Sequence, residues 1–300
     1  MIKDTKSYTF GIIGAGKVGI TLGIELLKLG RLDWIVTNSK TSSDRVKRTL
    51  INPDLIRTSV QDIDHLPNMM IIVTNDSVIN EIAVKLAEKY GKFLKGVQII
   101  HCSGVLGTSV LEPCENNGAS VAAIHPFQTF YMDTPNLLHD IRWGVECSDN
   151  DYSLYSSFVD LLYGFPIRLS EEAVREKALY HAVATSASNY MTTIIQLANQ
   201  IADSANIDSN EFLPTIAKTT LGNNLRGLTD SKSIPLTGPI ARADVNTIRL
   251  HIKAMQSHRE LMKPYCYMGL ATNEMAFNAK IIDRQSFLAI RNAFREGLQE

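Results

Sequence analysis

Four polar residues recur at four-residue steps in an alanine-rich segment of the second half of the sequence: Lys177, His181, Thr185 and Asn189. Residues at this spacing share one face of an α-helix. A lysine or histidine there could donate a proton, and an asparagine amide could hydrogen-bond a polarised carbonyl. The pattern therefore predicts Lys177, His181 and Asn189 as catalytic residues. A solvated face with Lys177 simply exposed is the alternative.

A second group of candidates follows a predicted turn into a helix, where Pro239 would occupy an early helical position. Arg242 could bind a carboxylate through two parallel hydrogen bonds. Asp244 could cap the next helix or hold Arg242 in place. We predict both as substrate-binding residues, with an Arg–Asp ion pair and no ligand as the alternative.

A glycine-rich turn near the start of the chain has the pattern of a nucleotide-binding loop. Gly14, Gly16 and Gly19 form G-x-G-x-x-G around Lys17 and Val18, between a β-prone run and a helical segment. Gly14 would make the tight turn, Gly16 would admit a pyrophosphate, and Gly19 would let the helix pack closely. The anion would then bind at the helix amino terminus. A turn without a ligand is the alternative.

The end of the second predicted strand indicates which dinucleotide would bind. Asn38, Ser39 and Lys40 stand there, with Arg45 shortly after them and no carboxylate; Asp33 precedes the strand. An acid at this place would bind the ribose hydroxyls of NAD, whereas cationic and polar groups suit a 2′-phosphate. The loop favours NADP(H), and a polar loop with an incidental lysine is the alternative.

Further candidates follow the next predicted strands, at the sheet edge where parallel sheets bind ligands. Asn75, Asp76 and Ser103 are predicted to contact the cofactor, and His125 the substrate. Helix capping is the alternative at Asp76. A buried, hydrogen-bonded histidine is the alternative at both His101 and His125.

The order of these elements predicts the fold class. Short apolar strands alternate with helices up to about residue 170, and only helical patterns follow. This predicts an α/β protein with a doubly wound parallel Rossmann sheet over residues 1–170 and an all-helical domain over residues 171–300. The predicted helices of the second domain cover residues 172–204, 211–228, 244–262, 263–279 and 285–297.

Composition excludes several classes of protein. The 300 residues carry a net charge of −1, so no basic field argues for nucleic acid or an anionic membrane. The four scattered cysteines form no C-x-x-C pair, which argues against a metal site or a disulfide framework. No apolar run is long enough for a membrane span or signal segment. A cytoplasmic location is expected. The late Ala- and Met-rich helices suit a homodimer interface as well as an internal core.

Five segments together resemble a known family: residues 14–19, 75–76, 101–104, 125–127 and 236–244. The chain resembles NADP-dependent oxidoreductases that join a Rossmann domain to a helical domain like the C-terminal part of 6-phosphogluconate dehydrogenase. More narrowly, it resembles the branch with a formerly uncharacterised helical domain, which includes alternative ketopantoate reductases. That family usually has glycine where this chain has Ala243.

The resemblance implies an NADPH-dependent reductase of a small 2-keto acid, with ketopantoate to pantoate in pantothenate biosynthesis as the leading reaction. It also implies a catalytic helix like that of ordinary ketopantoate reductases, which leaves open whether Lys177 or His181 is the acid. An imine or pyrroline reductase on the same fold is one alternative. A nicotinamide-binding sensor without turnover is another.

Overall fold

Short, fully buried strands alternate with helices through the first half of the chain. The structure is a computed structural model that describes residues 7–50, 52–131, 137–231 and 234–299. It divides into two compact units, Met1–Ser186 and Ala187–Glu300. Within the described residues, the strands are β1 (Phe10–Ile13), β2 (Leu32–Val36), β3 (Ile56–Arg57), β4 (Met69–Ile72), β5 (Gln98–His101), β6 (Ser120–Pro126), β7 (Arg142–Cys147) and β8 (Phe165–Arg168).

The eight strands form one sheet in the order β3-β2-β1-β4-β5-β6-β7-β8. The pairs from β3 to β6 are all parallel, so the predicted Rossmann sheet is confirmed. β7 runs antiparallel to β6, and β8 runs parallel to β7. These last two strands lie within residues 1–170, where a parallel sheet was predicted, but they run in the opposite direction to the first six.

Helices cover both faces of this sheet, as a doubly wound fold requires. The α-helices of the first unit are α1 (Lys17–Lys28), α2 (Lys40–Leu50), α3 (Ile79–Tyr90), α4 (Glu112–Glu115), α5 (Tyr152–Leu161), α6 (Glu171–Arg175) and α7 (Lys177–Thr185). One core packs residues of α1, α2 and α5 on the sheet, and a second core packs residues of α3 and α4. Strands such as β1 and β4 are buried at every residue, which explains their continuous apolar sequences.

The strand register brings polar residues into one row. Ile13 pairs with Ile72, which pairs with His101; His101 pairs with Ala123, and Ala123 pairs with Glu146. Side chains that share a row share a face of the sheet, so this apolar row becomes polar where it reaches β5 and β7.

The second unit is helical in its described part, as predicted. Its helices are α8 (Met191–Ser204), α9 (Leu213–Arg226), α10 (Gly238–Ala241), α11 (Val245–Ala254), α12 (Arg259–Asn278) and α13 (Arg284–Gln299). Its core packs α11 against α12 and α13. Fully buried side chains such as Ile290 and Phe294 each contribute about 2 kcal/mol by leaving water.

Two predictions about the helices of the second half of the chain are wrong. The pattern over residues 172–204 is divided into α6, α7, a π-helical turn (Ser186–Tyr190) and α8. The predicted break between residues 262 and 263 lies earlier, because α11 ends at Ala254 and α12 begins at Arg259 with Pro264 inside it. Leu261 and Met262 are buried, so the apolar pattern continued through the actual break.

Candidate functional site

The glycine loop, residues 14–19, turns sharply between β1 and α1. Gly14 has a φ of +117°, and a Cβ there would lie 2.6 Å from the carbonyl oxygen of Val73. A Cβ on Gly19 would collide with the carbonyl oxygen of Gly14. At Gly16, no described atom lies within 4 Å of the Cβ position. The turn itself therefore requires Gly14 and Gly19, whereas Gly16 leaves space for a ligand.

The amino terminus of α1 opens onto this space. Gly16 is the N-cap of α1 and provides no side-chain cap, and the first turn contains no acidic residue. The positive end of the helix dipole is therefore not neutralised by a carboxylate of its own first turn. Helix starts of this kind bind phosphate groups.

A cleft of about 860 Å³ lies beside the glycine loop. It lies at the carboxyl ends of β1 and β4, where the strand order changes direction and where open α/β sheets bind their ligands. Six of the predicted cofactor residues line it: Gly14, Gly16, Lys17, Val18, Asn38 and Asn75. Gly19 lies instead behind the loop, where α1 packs against it.

The end of β2 contributes polar side chains to the cleft. Asn38 and Ser42 line it, whereas Ser39 and Lys40 lie exposed at the start of α2. The Ser39 hydroxyl oxygen accepts a hydrogen bond from the backbone N–H of Ser42 at 3.2 Å. Ser39 therefore stabilises the first turn of α2, and Ser42 is a cleft residue that sequence reasoning missed.

The loop after β4 also reaches the cleft. Asn75 lines it without making a capping hydrogen bond, and Asp76 is exposed at the start of a short 3₁₀ turn. Glu81 brings a carboxylate to the cleft wall, but its Oε1 lies 2.6 Å from Lys85 Nζ. This lysine offsets the negative charge of Glu81, so the wall is not strongly repulsive to anions.

The β5 loop, residues 102–108, follows the next strand and is held by the buried His101. Nδ1 of His101 accepts the backbone N–H of Ser103 at 3.2 Å, and Nε2 therefore carries the proton that is donated to the Gly107 carbonyl at 3.1 Å. Burial lowers the pKa of His101. The hydroxyl of Ser103 accepts two amides of its own loop, at 3.2 and 3.1 Å. Both side chains therefore stabilise the loop, as the alternative for His101 predicted.

Lys177, the first residue of α7, forms a buried ion pair. Its Nζ lies 2.6 Å from Glu146 Oε2 and donates a hydrogen bond to the Leu106 carbonyl at 2.5 Å. The other carboxylate oxygen, Glu146 Oε1, accepts the backbone N–H of Thr108 at 3.0 Å. The Lys177 side chain is only 5% exposed, so the alternative of a solvated lysine does not apply.

A cluster of aromatic rings lies next to this ion pair. The histidine cluster consists of His125 near the end of β6, Phe127 just after β6, and Tyr180 and His181 on α7. His125 Nδ1 lies 3.2 Å from the Tyr180 hydroxyl, and the two imidazole centroids are 5.6 Å apart. A Cβ on Gly104 would collide with His181 Nδ1 and lie 2.8 Å from His125 Nε2. Both imidazoles therefore direct a nitrogen towards the β5 loop.

Burial is the main cause that lowers the pKa of His125 to about 4, and the charges of His181 and Lys177 lower it further. Between pH 6.5 and about pH 4, the imidazole of His125 is therefore neutral in the folded protein but protonated in the unfolded chain. We expect the free energy of unfolding to fall as the pH decreases from about 6.5 to about 4. At about 1.4 kcal/mol per pKa unit, this loss approaches about 3 kcal/mol.

Urea unfolding at several pH values across this range measures the effect. Because carboxylates titrate in the same range, the comparison is between the protein and the variant His125→Asn, which lacks the imidazole. The variant should lose less stability on acidification. An identical pH dependence in both proteins would contradict the assignment to His125.

In the second unit, Asn189 lies exposed in the π-helical turn. Its Oδ1 accepts a hydrogen bond from the Ser188 hydroxyl at 3.1 Å. Hydrogen bonds of a π turn join residues i and i+5, so the step from Thr185 to Asn189 does not continue an α-helical face. The predicted stripe has α-helical geometry only over Lys177–Thr185.

Asp244 caps α11, which was one of the two predicted roles. Its carboxylate accepts the backbone N–H of Thr247 at 3.0 Å and the hydroxyl of the same residue at 2.6 Å. These bonds, with a smaller effect of Arg242, lower the pKa of Asp244. Arg242 immediately follows α10 and is exposed.

Ala243, between these residues, has a left-handed φ of +54°. This conformation disfavours residues with a Cβ by about 1 kcal/mol, so glycine would be favoured over alanine at this position. We expect Ala243→Gly to raise the free energy of unfolding by up to about 1 kcal/mol, reduced by the extra freedom of glycine in the unfolded chain. Urea denaturation measures the change.

Ala271, in the exposed interior of α12, provides the matched control for Ala243. Glycine there should lower stability by about 1 kcal/mol. If Ala243→Gly destabilised the protein as much as Ala271→Gly, position 243 would carry no backbone strain.

Sequence reasoning missed Glu146 and Tyr180. These residues share no motif, and their proximity depends on strand register and on where α7 packs. One signal was present for Glu146: it directly follows the buried residues Trp143, Gly144 and Val145 inside a strand. Charges at such positions are rarely buried without a partner.

The described residues contain neither a metal-binding cluster nor a membrane-spanning helix. No group of three or more His, Cys, Asp or Glu side chains there could hold a metal ion. No helix in that part of the chain is long and apolar enough to cross a bilayer.

Comparisons with known proteins agree with this architecture. Solved structures of similar fold include a suggested NADP oxidoreductase from Bacteroides fragilis, with a TM-score of 0.70, 19% identity, and coverage of 85% of this chain and 93% of that one. A pyrroline-5-carboxylate reductase from Coxiella burnetii has a TM-score of 0.54, 14% identity and 98% coverage of both chains. An imine reductase from Myxococcus stipitatus in complex with NADP⁺ has a TM-score of 0.56, 15% identity, and coverage of 97% and 94%.

No curated protein sequence matches the chain. Residues 2–126 match the Rossmann-like domain, and residues 141–272 match a domain of unknown function, DUF2520. The second match begins at the last two strands of the sheet and continues into the helical unit. The chain therefore joins a Rossmann-like domain to a DUF2520 domain.

Proposed function

We propose that the protein is an NADPH-dependent reductase of small molecules that contain a C=O or C=N bond. The observation that carries the proposal is the glycine loop, with Gly16 open and the start of α1 uncapped beside a cleft of about 860 Å³. A dinucleotide would place its pyrophosphate here and its adenosine half over the end of β2. The nicotinamide half would then extend towards the loops after β4 and β5.

The preference for NADPH is supported by Asn38 and Ser42 in the cleft and by Ser39 and Lys40 at its edge. We expect NADPH to bind more tightly than NADH, because these groups suit a 2′-phosphate and no acid stands among them. Titrating both nucleotides by fluorescence measures the ratio. Lys40→Asp should shift the ratio towards NADH, and an unchanged ratio would exclude Lys40 from cofactor recognition.

Bound NADPH would supply a hydride to the electrophilic carbon of the substrate. The protein must then donate a proton to the oxygen or nitrogen that receives the bond electrons. His181 is the better placed of the two predicted acids, because Lys177 is already paired with Glu146 and the Leu106 carbonyl. His125 would contribute a neutral polar wall, since its pKa is about 4.

Two substrate classes remain candidates within this function. A 2-keto acid such as ketopantoate is supported by the family resemblance and by Arg242, which suits a carboxylate. A cyclic imine is supported by the similar fold of the pyrroline-5-carboxylate reductase and the imine reductase. Oxidation of NADPH, followed by absorbance with ketopantoate, other 2-keto acids and cyclic imines, tests both. Tight NADPH binding with no turnover on any of them would favour a sensor.

We further propose a homodimer through the helical unit. α9 has no buried residue, and it exposes the large apolar side chains of Ile216, Leu221 and Leu225. A group of large apolar side chains exposed on one helix is typical of a protein–protein interface. Light scattering should give twice the 33.3 kDa mass of the chain, and a monomer at micromolar concentration would exclude this interface.

A further inference from the structure

We propose that Glu146 is a positioning residue, which acts through Lys177 and the β5 loop to hold the histidine cluster in place. The inference rests on the proposed reductase function for its effect on turnover. Its structural part depends only on contacts within the first unit. Glu146 lies on β7, at the polar end of the row that starts at Ile13.

Three consecutive residues of the β5 loop are each held by a different buried side chain. Lys177 Nζ binds the carbonyl of Leu106, and His101 Nε2 binds the carbonyl of Gly107. Glu146 Oε1 accepts both the backbone N–H of Thr108 at 3.0 Å and its hydroxyl at 3.3 Å. The loop therefore has little freedom to move as long as the ion pair is intact.

Glu146 joins two of these three attachments. One carboxylate oxygen binds Thr108 and the other lies 2.6 Å from Lys177 Nζ, so β7, the loop and α7 meet at one side chain. Both partners are nearly inaccessible, at 13% and 5% side-chain exposure. Charges this deep interact strongly, because little water is present to screen them.

The loop transmits this restraint to the histidine cluster through Gly104. A Cβ at Gly104 would overlap His181 Nδ1 and approach His125 Nε2, so the loop backbone is packed against both imidazoles. Tyr180 connects α7 directly to β7, since its hydroxyl lies against Gly144 of that strand. A displacement of the loop or of α7 would therefore move the two rings relative to each other.

Lys177 has a different role here from that of a proton donor. Its ammonium is directed at a carboxylate and a carbonyl of the protein, and its side chain is closed off from solvent. An arginine could preserve the positive charge and both contacts, but it could not release a proton during catalysis, because its pKa is too high. This difference separates positioning from acid catalysis.

The experiment compares Glu146→Gln and Lys177→Arg in the full-length protein. Glu172→Gln, which removes an exposed partner of Arg175 on α6, serves as the control. With the best substrate found, kcat of Glu146→Gln should fall about 10- to 100-fold, as expected when reacting groups are displaced by about 1 Å. The KM for NADPH and the pH limits of kcat should stay unchanged. Lys177→Arg should retain more activity than Glu146→Gln.

A second readout does not require turnover. The imidazole NMR signals of His125 and His181 should shift in Glu146→Gln, and those of the control should not. Unshifted imidazole signals in Glu146→Gln would overturn the proposal. So would a folded, NADPH-binding Lys177→Arg that has lost all activity, since Lys177 would then be the acid. If no substrate were turned over, the reductase function would fail while the NMR result still decided the role of Glu146.

Discussion

Replacing Gly16 with alanine should leave the free protein stable but weaken NADPH binding at least about tenfold, or about 1.4 kcal/mol. The φ of −73° at Gly16 suits alanine, and the new methyl group would enter open space in the free protein. A pyrophosphate on the α1 amino terminus would compete for that space. Fluorescence titration of NADPH and urea unfolding together measure the two effects.

Gly19→Ala is the matched comparison. Unlike Gly16→Ala, it should destabilise the free protein. Its methyl group would overlap the carbonyl oxygen of Gly14, so the glycine loop must shift even without a ligand. Both stability and NADPH affinity should fall. If Gly16→Ala bound NADPH as tightly as the unchanged protein, the pyrophosphate would not lie on this loop.

Replacing Lys177 with methionine should cost about 3–5 kcal/mol of stability, because it leaves the Glu146 carboxylate buried without its cation. The cost comes from an unpaired charge, so it should be relieved when that charge is also removed. The double variant Glu146→Gln, Lys177→Met should therefore be more stable than Lys177→Met alone. Its glutamine oxygen could still accept the amide of Thr108.

Chemical denaturation of four proteins, namely the unchanged protein, Glu146→Gln, Lys177→Met and the double variant, gives the coupling between the two positions. Arg175→Met, which breaks an exposed pair with Glu172, should change stability by less than about 1 kcal/mol. Additive effects at positions 146 and 177 would show that the ion pair contributes nothing beyond its separate side chains.

The order of the elements could be predicted because local signals determine it. Continuous apolar strands, helical periodicity and the glycine spacing all depend on residues close together in the chain. The same locality explains the errors. Nothing local indicates that β7 reverses direction, and the buried Leu261 and Met262 extended an apolar pattern through the region where α11 had ended.

Side-chain roles were harder to predict than elements. The capping of α11 by Asp244 is a local contact, and the sequence offered it as one of two roles. The partner of Lys177 is distant in sequence and reaches it only through the register of β6 with β7. The roles proposed for Lys177, His181, Asn189 and Arg242 in catalysis and binding stay predictions until the variants are measured.

The reversal of β7 also affects how this part of the protein can fold. Parallel neighbours must wait for a crossover segment to return the chain to the same end of the sheet. β6 and β7 are antiparallel and follow each other in sequence, and His125 pairs with Gly144 in their register. This pairing has low contact order and can form early, before β1 and β4 meet. The β6–β7 pair, which holds His125 of the histidine cluster, can thus form independently of the glycine loop.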